Sequence, residues 1–148
     1  MALAEWVANG QPPYDLWPVD IRRFGKPHQD LEWVRKRTYE AYAKHYTMAW
    51  PFEEHSSGRN FQTSPIFDDL IDANACFGEK MGWERPNWFA PKSTEPKDVY
   101  SYDRQNWFEI VGEEVKATRE KAVLIDQSSF AKFIVSGEDA TKALDYIC

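Results

Sequence analysis

The segment with the most evident capacity for chemistry is Trp83-Glu84-Arg85-Pro86, in which an aromatic ring, an acid and a base precede a proline. A guanidinium group can hold a carboxylate through two hydrogen bonds, and an indole ring can stack on another flat ring. Arg85 is therefore a candidate carboxylate clamp, and Trp83 is a candidate stacking platform. The alternative is a structural loop in which Trp83 fills a gap while Glu84 and Arg85 are solvated.

The histidines offer weaker candidates for chemistry. His28, His45 and His55 are too far apart in sequence for metal-ligand spacing, so we interpret them as ordinary surface or groove side chains. Glu53 and Glu54 precede His55 and could hold a metal with it. A solvated loop is the simpler interpretation of that cluster, and we predict no metal site.

Several familiar motifs are absent from the sequence. It contains no GxGxxG, no GxxxxGK[ST] and no HExxH, so it shows no phosphate cradle and no zinc-binding helix. Its two cysteines, Cys76 and Cys148, do not form a disulfide framework, which favours a reducing environment. We predict that Cys76 is a small buried thiol.

The composition is that of a globular soluble protein. Of 148 residues, 43% are hydrophobic and 28% are charged, and seven Trp, seven Tyr and nine Phe supply much buriable surface. The net charge of -6 argues against a nucleic-acid partner, because nucleic-acid binders usually present a basic face. No stretch approaches the roughly 20 apolar residues that span a bilayer, so no membrane partner is expected.

Helical spacing of apolar residues predicts the first elements that position these side chains. A short helix is expected to end at Gly10, and a second helix is expected over residues 29–46. A third helix is predicted to begin with Ser64 as N-cap and to continue to about Phe77.

The later part of the chain changes period. A helix is predicted over residues 107–121, followed by strands at 122–125 and 131–135. A last helix is predicted to begin at Ser136, with Asp139 completing a capping box. The predicted fold class is α+β, with three or four helices around a short antiparallel strand pair.

Both end segments of the sequence have apolar faces that the neighbouring sequence does not evidently cover. The first helix lacks an N-cap, and the last stops at Cys148 without a C-cap. We therefore expect an internal piece of a larger soluble enzyme that contains no whole active site.

Two stretches resemble the glycine-cleavage T-protein, an aminomethyltransferase: GEKMGWERPNWF and the sequence from Trp107 onward. A family pattern of the form Asp-x-Ser-x-x-x-Lys-x-x-Val-x-Gly is matched by five residues: Asp126, Ser128, Lys132, Val135 and Gly137. The version with Glu84-Arg85-Pro86 is similar to the fused dehydrogenases for dimethylglycine and sarcosine. LAEWVANGQPPYDLWPVDIRRFG resembles the end of their flavin half, and residues 39–63 resemble their central linker domain.

This resemblance implies a division of the chain and a reaction. Residues 1–25 would end an FAD-dependent oxidoreductase domain, 26–66 would form the central linker domain, and 67–148 would begin a T-protein-like folate-binding domain. FAD would oxidise an N-methyl glycine, and the resulting iminium would pass inside the protein to tetrahydrofolate. An enclosed route is sensible because an iminium hydrolyses readily in water.

The resemblance assigns few site residues to this chain. Phe130 falls where T-proteins often have a methionine near the folate pocket, while Met1, Ala2 and Leu3 would lie near the flavin. The catalytic residues would lie outside the chain, and Trp83 and Arg85 would return to structural roles. FAD and tetrahydrofolate would belong to the full-length enzyme, with neither bound by this piece alone.

The implied partners are the flanking domains of the same polypeptide and a small N-methyl amine substrate. The implied location is the cytoplasm of a bacterium or the mitochondrial matrix of a eukaryote. Two other functions are open: a T-protein-like folate enzyme without a flavin half, and a non-catalytic interaction module that uses its aromatic residues as a binding surface.

Overall fold

The fold was obtained as a computed structural model, which describes residues 1–148 and the side chains of all of them except 26 and 27. Its regular elements are α1 (Ala2–Asn9), α2 (Leu31–Lys44), α3 (Phe67–Asp72), β1 (Ala75–Lys80), β2 (Trp83–Phe89), α4 (Phe108–Glu120) and α5 (Ala140–Ile147). Three short 3₁₀ helices at Trp17–Val19, Ile21–Arg23 and Lys26–Gln29 connect α1 to α2. The predicted α+β class is confirmed, with one two-stranded antiparallel sheet among the described residues.

The strand pair lies in a different place from the predicted one. β1 and β2 form an antiparallel hairpin in which Lys80 pairs with Trp83. Met81 and Gly82 both have positive φ, at 52° and 86°, the backbone twist that suits a two-residue hairpin turn. A methionine at such a position is uncommon, so the turn was not evident from the sequence.

The predicted strands at 122–125 and 131–135 are not formed, so this prediction was wrong. Leu124 is 91% exposed and Ile134 is 95% exposed. A strand needs a hydrogen-bonded neighbour, and among the described residues no other segment forms a ladder with either stretch. The strand propensity of these residues was therefore insufficient to form a β-strand without a pairing partner.

Helix α3 is shorter than predicted because the chain turns at Asn74. That residue has a left-handed φ of 63°, and its side-chain amide donates to the carbonyl oxygens of Ala90, Pro91 and Thr94. Phe77, predicted to lie on this helix, instead lies on β1. The Asn74 contacts thus end the helix and direct the chain into the first strand of the hairpin.

Local capping explains the helices that were predicted well. Gly10 ends α1 with φ of 73°, and the Asp30 carboxylate accepts hydrogen bonds from the N–H groups of Glu32 and Trp33 at the start of α2. The capping box predicted for α5 is wrong. Asp139, rather than Ser136, is the N-cap, and its carboxylate pairs with Lys142 at 2.8 Å.

A small core joins the hairpin to α4. Cys76, Trp88 and Ala90 are buried there, and Trp107 and Val111 pack against them. Burial raises the pKa of the Cys76 thiol to about 12, so this cysteine stays protonated and inert, as predicted for a buried thiol. Cys148 is exposed, and both cysteines are free.

The two terminal helices expose apolar side chains at the surface. Neither α1 nor α5 contains a buried residue, so Leu3, Val7, Tyr146 and Ile147 expose their apolar side chains. No helix among those described is both long enough and apolar enough to cross a membrane.

A glycine in β1 allows a loop to contact the hairpin. A Cβ at Gly78 would overlap the Glu54 carboxylate and the Asn87 amide. We expect Gly78→Ala to lower the free energy of unfolding by about 1–3 kcal/mol, measured by urea denaturation, because one of these side chains must move.

Gly112→Ala is the control, since nothing lies within 4 Å of a Cβ there. Removing this helical glycine should raise stability by about 0.5–1 kcal/mol. Equal effects at both positions would contradict the predicted overlap.

Candidate functional site

A cleft of about 390 Å³ lies between β2 and α4 and is the candidate functional site. Its walls are residues from both elements, from α3 and from an extended segment that crosses one side: Leu70, Arg85, Pro86, Asn87, Phe89, Glu114, Ala117, Thr118, Val123, Leu124, Ile125 and Asp126. Mostly apolar walls with a few charged groups are typical of small-molecule sites.

Arg85 is in the wall of the cleft, and it contacts Phe130, which is not itself a lining residue. The Arg85 guanidinium carbon lies 5.0 Å from the centroid of the Phe130 ring, within the range of a cation–π contact. In the described part of the chain, Arg85 has no carboxylate within ion-pair distance. Arg85 thus offers a positive charge beside an aromatic face, as a carboxylate clamp requires, and it shares the cleft with two carboxylates, those of Glu114 and Asp126.

Asp126 provides a negative charge in the lining of the same cleft. The Ser64 hydroxyl, which lies nearby without full hydrogen-bond geometry, and then Ser128 lower the pKa of Asp126. The Ser128 N–H donates to its Oδ1 at 2.9 Å. The group therefore stays ionised near neutral pH, which suits it to accept hydrogen bonds and not to act as an acid.

The residues predicted near the flavin do not meet this cleft. Met1 and Leu3 are exposed side chains at the start of α1, which contacts the following connector through Arg22 over the Trp6 ring at 5.3 Å. Phe130 lies in the loop beyond α4, next to β2. The residues predicted to lie near the flavin and the residue predicted to lie near the folate therefore belong to separate elements of the fold.

The cluster around Trp83 contains a buried ion pair that the sequence interpretation missed. Glu84 is 3% exposed, and its carboxylate accepts from Arg59 Nε at 2.9 Å and from the Asn60 N–H at 2.6 Å. Arg59 also donates to the Phe77 carbonyl at 2.9 Å. The idea of a solvated Glu84 was wrong. The available signal was an acid inside an aromatic segment, which must find a partner when that segment is buried.

The loop containing Glu53, Glu54 and His55 is bonded to two other elements of the fold. Its interpretation as a solvated loop was therefore wrong. Glu53 pairs with Lys44 at 2.9 Å, and Glu54 accepts from the Glu79 N–H at 2.8 Å. Among the described residues, no group of three potential ligands is placed to hold a metal ion. These acids therefore attach the loop to α2 and to the hairpin.

Glu40 on α2 makes the contact between α2 and this loop sensitive to acid. Partial burial by itself raises the pKa of Glu40, but bonds from Lys44, Ser57 and Ser56 outweigh it and lower the pKa far below its ordinary value of 4.5. The backbone N–H groups of Ser56 and Ser57 donate at 2.8 and 2.7 Å. Because the folded pKa is depressed, its stabilising contribution is present above about pH 4.5 and is lost as pH falls below that value.

Glu40→Gln is therefore expected to reduce the pH dependence of stability. The urea midpoint of the unmodified chain should fall between pH 6 and pH 3, and the variant should show a smaller fall over the same interval. Glu32→Gln is a matched control, since Glu32 lies on the same helix but is exposed and pairs with Lys36 in an exposed ion pair. Identical pH profiles for the Glu40 variant and the unmodified chain would contradict this assignment.

Comparison with known proteins defines the class of protein to which this fold and cleft belong. Residues 9–64 match the FAD dependent oxidoreductase central domain, and residues 66–148 match the GCVT N-terminal domain. The second match covers more than half of the chain, so the chain belongs to the family of the GCVT N-terminal domain, joined here to an FAD dependent oxidoreductase central domain.

Three curated relatives illustrate the range of that family. The chain is 45% identical over 138 residues to a 4-methylaminobutanoate oxidase (formaldehyde-forming) of Paenarthrobacter nicotinovorans, covering 93% of this chain and 17% of that protein. It is 32% identical to the mitochondrial sarcosine dehydrogenase of Mus musculus, covering 98% and 18%. It is 35% identical to the mitochondrial pyruvate dehydrogenase phosphatase regulatory subunit of Mus musculus, covering 98% and 17%. The chain thus spans under a fifth of each relative's length.

Proposed function

We propose that this chain is part of an FAD-dependent dehydrogenase that demethylates an N-methyl glycine, either dimethylglycine or sarcosine, and passes the one-carbon unit to tetrahydrofolate. The observation that carries the proposal is the direct succession of the two family matches, at 9–64 and 66–148. The names of the oxidase and dehydrogenase relatives support the reaction class. A bacterial cytoplasm or a mitochondrial matrix fits the sources of these relatives.

The cleft suits part of a folate molecule. Its apolar walls, which include the Phe89 ring, can contact a flat ring, and Arg85, which lies beside Phe130, can hold a carboxylate. Folate, when bound, supplies the acceptor for the one-carbon unit. The residues of this chain bind and orient it, and the apolar walls exclude water that would hydrolyse a reactive intermediate.

The chain contributes less to the flavin. Met1, Ala2 and Leu3 have no charged or hydrogen-bonding side chain, so they can line a flavin site but cannot hold the cofactor. FAD, when bound, accepts the hydride equivalent from the amine. We assign its binding groups and the catalytic residues to the flanking domains of the full-length polypeptide, the partners of this chain.

The test uses the product of the complete reading frame that encodes this chain. We expect flavin absorbance, bleaching of that absorbance by dimethylglycine or sarcosine, and formation of methylenetetrahydrofolate. Arg85→Gln should leave bleaching unchanged and weaken tetrahydrofolate binding about tenfold, the loss of roughly 1.4 kcal/mol expected for one charge-assisted contact. Arg104→Gln is the matched control, because Arg104 also lies over a phenylalanine ring, that of Phe108, but outside the cleft.

Two alternatives give different results in the same assay. A folate enzyme without a flavin half would bind tetrahydrofolate but show no flavin absorbance. A non-catalytic role is favoured by the relative named as a regulatory subunit, and a protein with that role would bleach with neither amine. Either result would overturn the dehydrogenase proposal.

A further inference from the structure

A second pocket, of about 240 Å³, has walls of a different character from those of the cleft. Four of its lining residues are aromatic and two are acidic: Phe52, Trp88, Tyr100, Trp107, Glu54 and Asp98. No lysine or arginine belongs to this lining, in the part of the chain whose side chains are described. The Phe52 and Trp107 rings meet edge to face, with centroids 5.7 Å apart.

The two carboxylates of the pocket are fixed in position. Asp98 Oδ1 accepts from the Trp88 indole N–H at 2.7 Å, and Glu54 Oε2 accepts from the Glu79 N–H at 2.8 Å. Neither carboxylate forms an ion pair with a described basic side chain. Two negative charges therefore lie at one pocket with no described basic side chain directly paired to either carboxylate.

Two basic side chains, Arg59 and Lys44, line a neighbouring pocket together with Glu54 and Asp98, but both are paired with other carboxylates. Arg59 is bonded to Glu84 and to a backbone carbonyl. The Lys44 ammonium pairs with the Glu40 carboxylate at 2.7 Å and with the Glu53 carboxylate at 2.9 Å. The protein's own cations thus leave the charge of the pocket to be met by a ligand.

The aromatic walls restrict which cation fits. Ring faces attract organic cations, and cages of aromatic residues are the usual sites for methylated ammonium groups. Among the described residues, no group of three acidic, histidine or cysteine side chains is placed here to hold a hard metal ion. The volume is below the roughly 300–1,000 Å³ of sites for drug-sized molecules, so the cation must be small.

We propose that this pocket, with Phe52 and Trp107 as ring walls and Asp98 and Glu54 as counter-charges, binds a small methylated ammonium cation. The proposal goes beyond the reaction proposed above, because it assigns a binding site within this chain that is separate from both flavin and folate. Burial raises the pKa of the Tyr100 phenol, so that wall stays neutral and adds no competing charge.

The test is an NMR titration of the product of the complete reading frame that encodes this chain with tetramethylammonium chloride, with sodium chloride at the same ionic strength as the reference. The Trp88 indole N–H is the reporter, because it is bonded to Asp98. We expect a saturable shift with the ammonium salt alone. An absent shift, or an equal one with sodium chloride, would overturn the proposal.

Two variants separate the charge from the rings. Asp98→Asn keeps an oxygen for the Trp88 bond but removes the charge, and it should weaken binding at least about tenfold. Asp103→Asn, at an exposed position five residues further along the chain, should leave binding unchanged. Phe52→Ala should weaken binding severalfold without unfolding the chain, because Phe52 is 75% exposed. Unaltered affinity in both the Asp98 and the Phe52 variants would reject the pocket as the binding site.

Discussion

Glu84→Gln is expected to lower the free energy of unfolding by about 3–5 kcal/mol, since it leaves Arg59 without the carboxylate that neutralises it. The Glu84 side chain is 1% exposed, and it accepts from two Arg59 nitrogens and from the Asn60 backbone. An amide can replace only some of those bonds and none of the charge. Urea denaturation followed by circular dichroism measures the loss directly.

A surface ion pair serves as the control for this prediction. Glu109 pairs with Arg104 at 3.0 Å, and both side chains are more than two-thirds exposed. Exposed pairs contribute at most about 1 kcal/mol, so Glu109→Gln should have little effect. A loss below 1 kcal/mol for the Glu84 variant would show that the buried pair is less important than its geometry indicates.

The Glu84 pair has a consequence for domain organisation. Arg59 and Asn60 lie in the region that matches the oxidoreductase central domain, whereas Glu84 lies in the region that matches the GCVT domain. The pair therefore bonds one domain to the other across 25 residues of chain. In the full-length product, Glu84→Gln should loosen this joint, and hydrogen exchange of residues 59–62 should become faster than in the Glu109 variant.

Trp88→Ala should be the other severe change, with an expected loss of about 3–5 kcal/mol, because it leaves a cavity at the centre of a small core. Trp88 is 1% exposed and packs with Cys76 and Ala90 against α4. Calorimetric thermal unfolding measures this loss. Trp17→Ala is the matched control, since Trp17 is 53% exposed and should lose far less.

Trp88→Phe separates packing from hydrogen bonding at the same position. Phenylalanine keeps most of the buried ring but cannot donate to Asp98 as the indole does at 2.7 Å. The expected loss is about 1–3 kcal/mol, the cost of an unsatisfied buried acceptor with a small packing defect. An equal loss for the alanine and phenylalanine variants would show that the hydrogen bond, and not the core volume, dominates.

The sequence by itself determined the features that depend on neighbours within one helical turn. Gly10 ends α1 and the periodic residues of α2 and α4 form helices, because caps and apolar periodicity act over three or four residues. The family of the second domain could also be recognised from the sequence, because the motif from Asp126 to Gly137 is defined by residue types at fixed spacings and not by the folded structure. Burial of Cys76 followed from its residue type.

Only the tertiary structure decided the contacts between distant positions. Residues 122–135 have strand-forming side chains but no ladder partner, whereas Asn74 and the Met81-Gly82 turn place β1 and β2 side by side. The Arg59–Glu84 bond and the pocket at Asp98 likewise join segments far apart in the chain. Local preferences are too small to select such pairings. They arise when buried charges and strand edges must find partners in the folded chain.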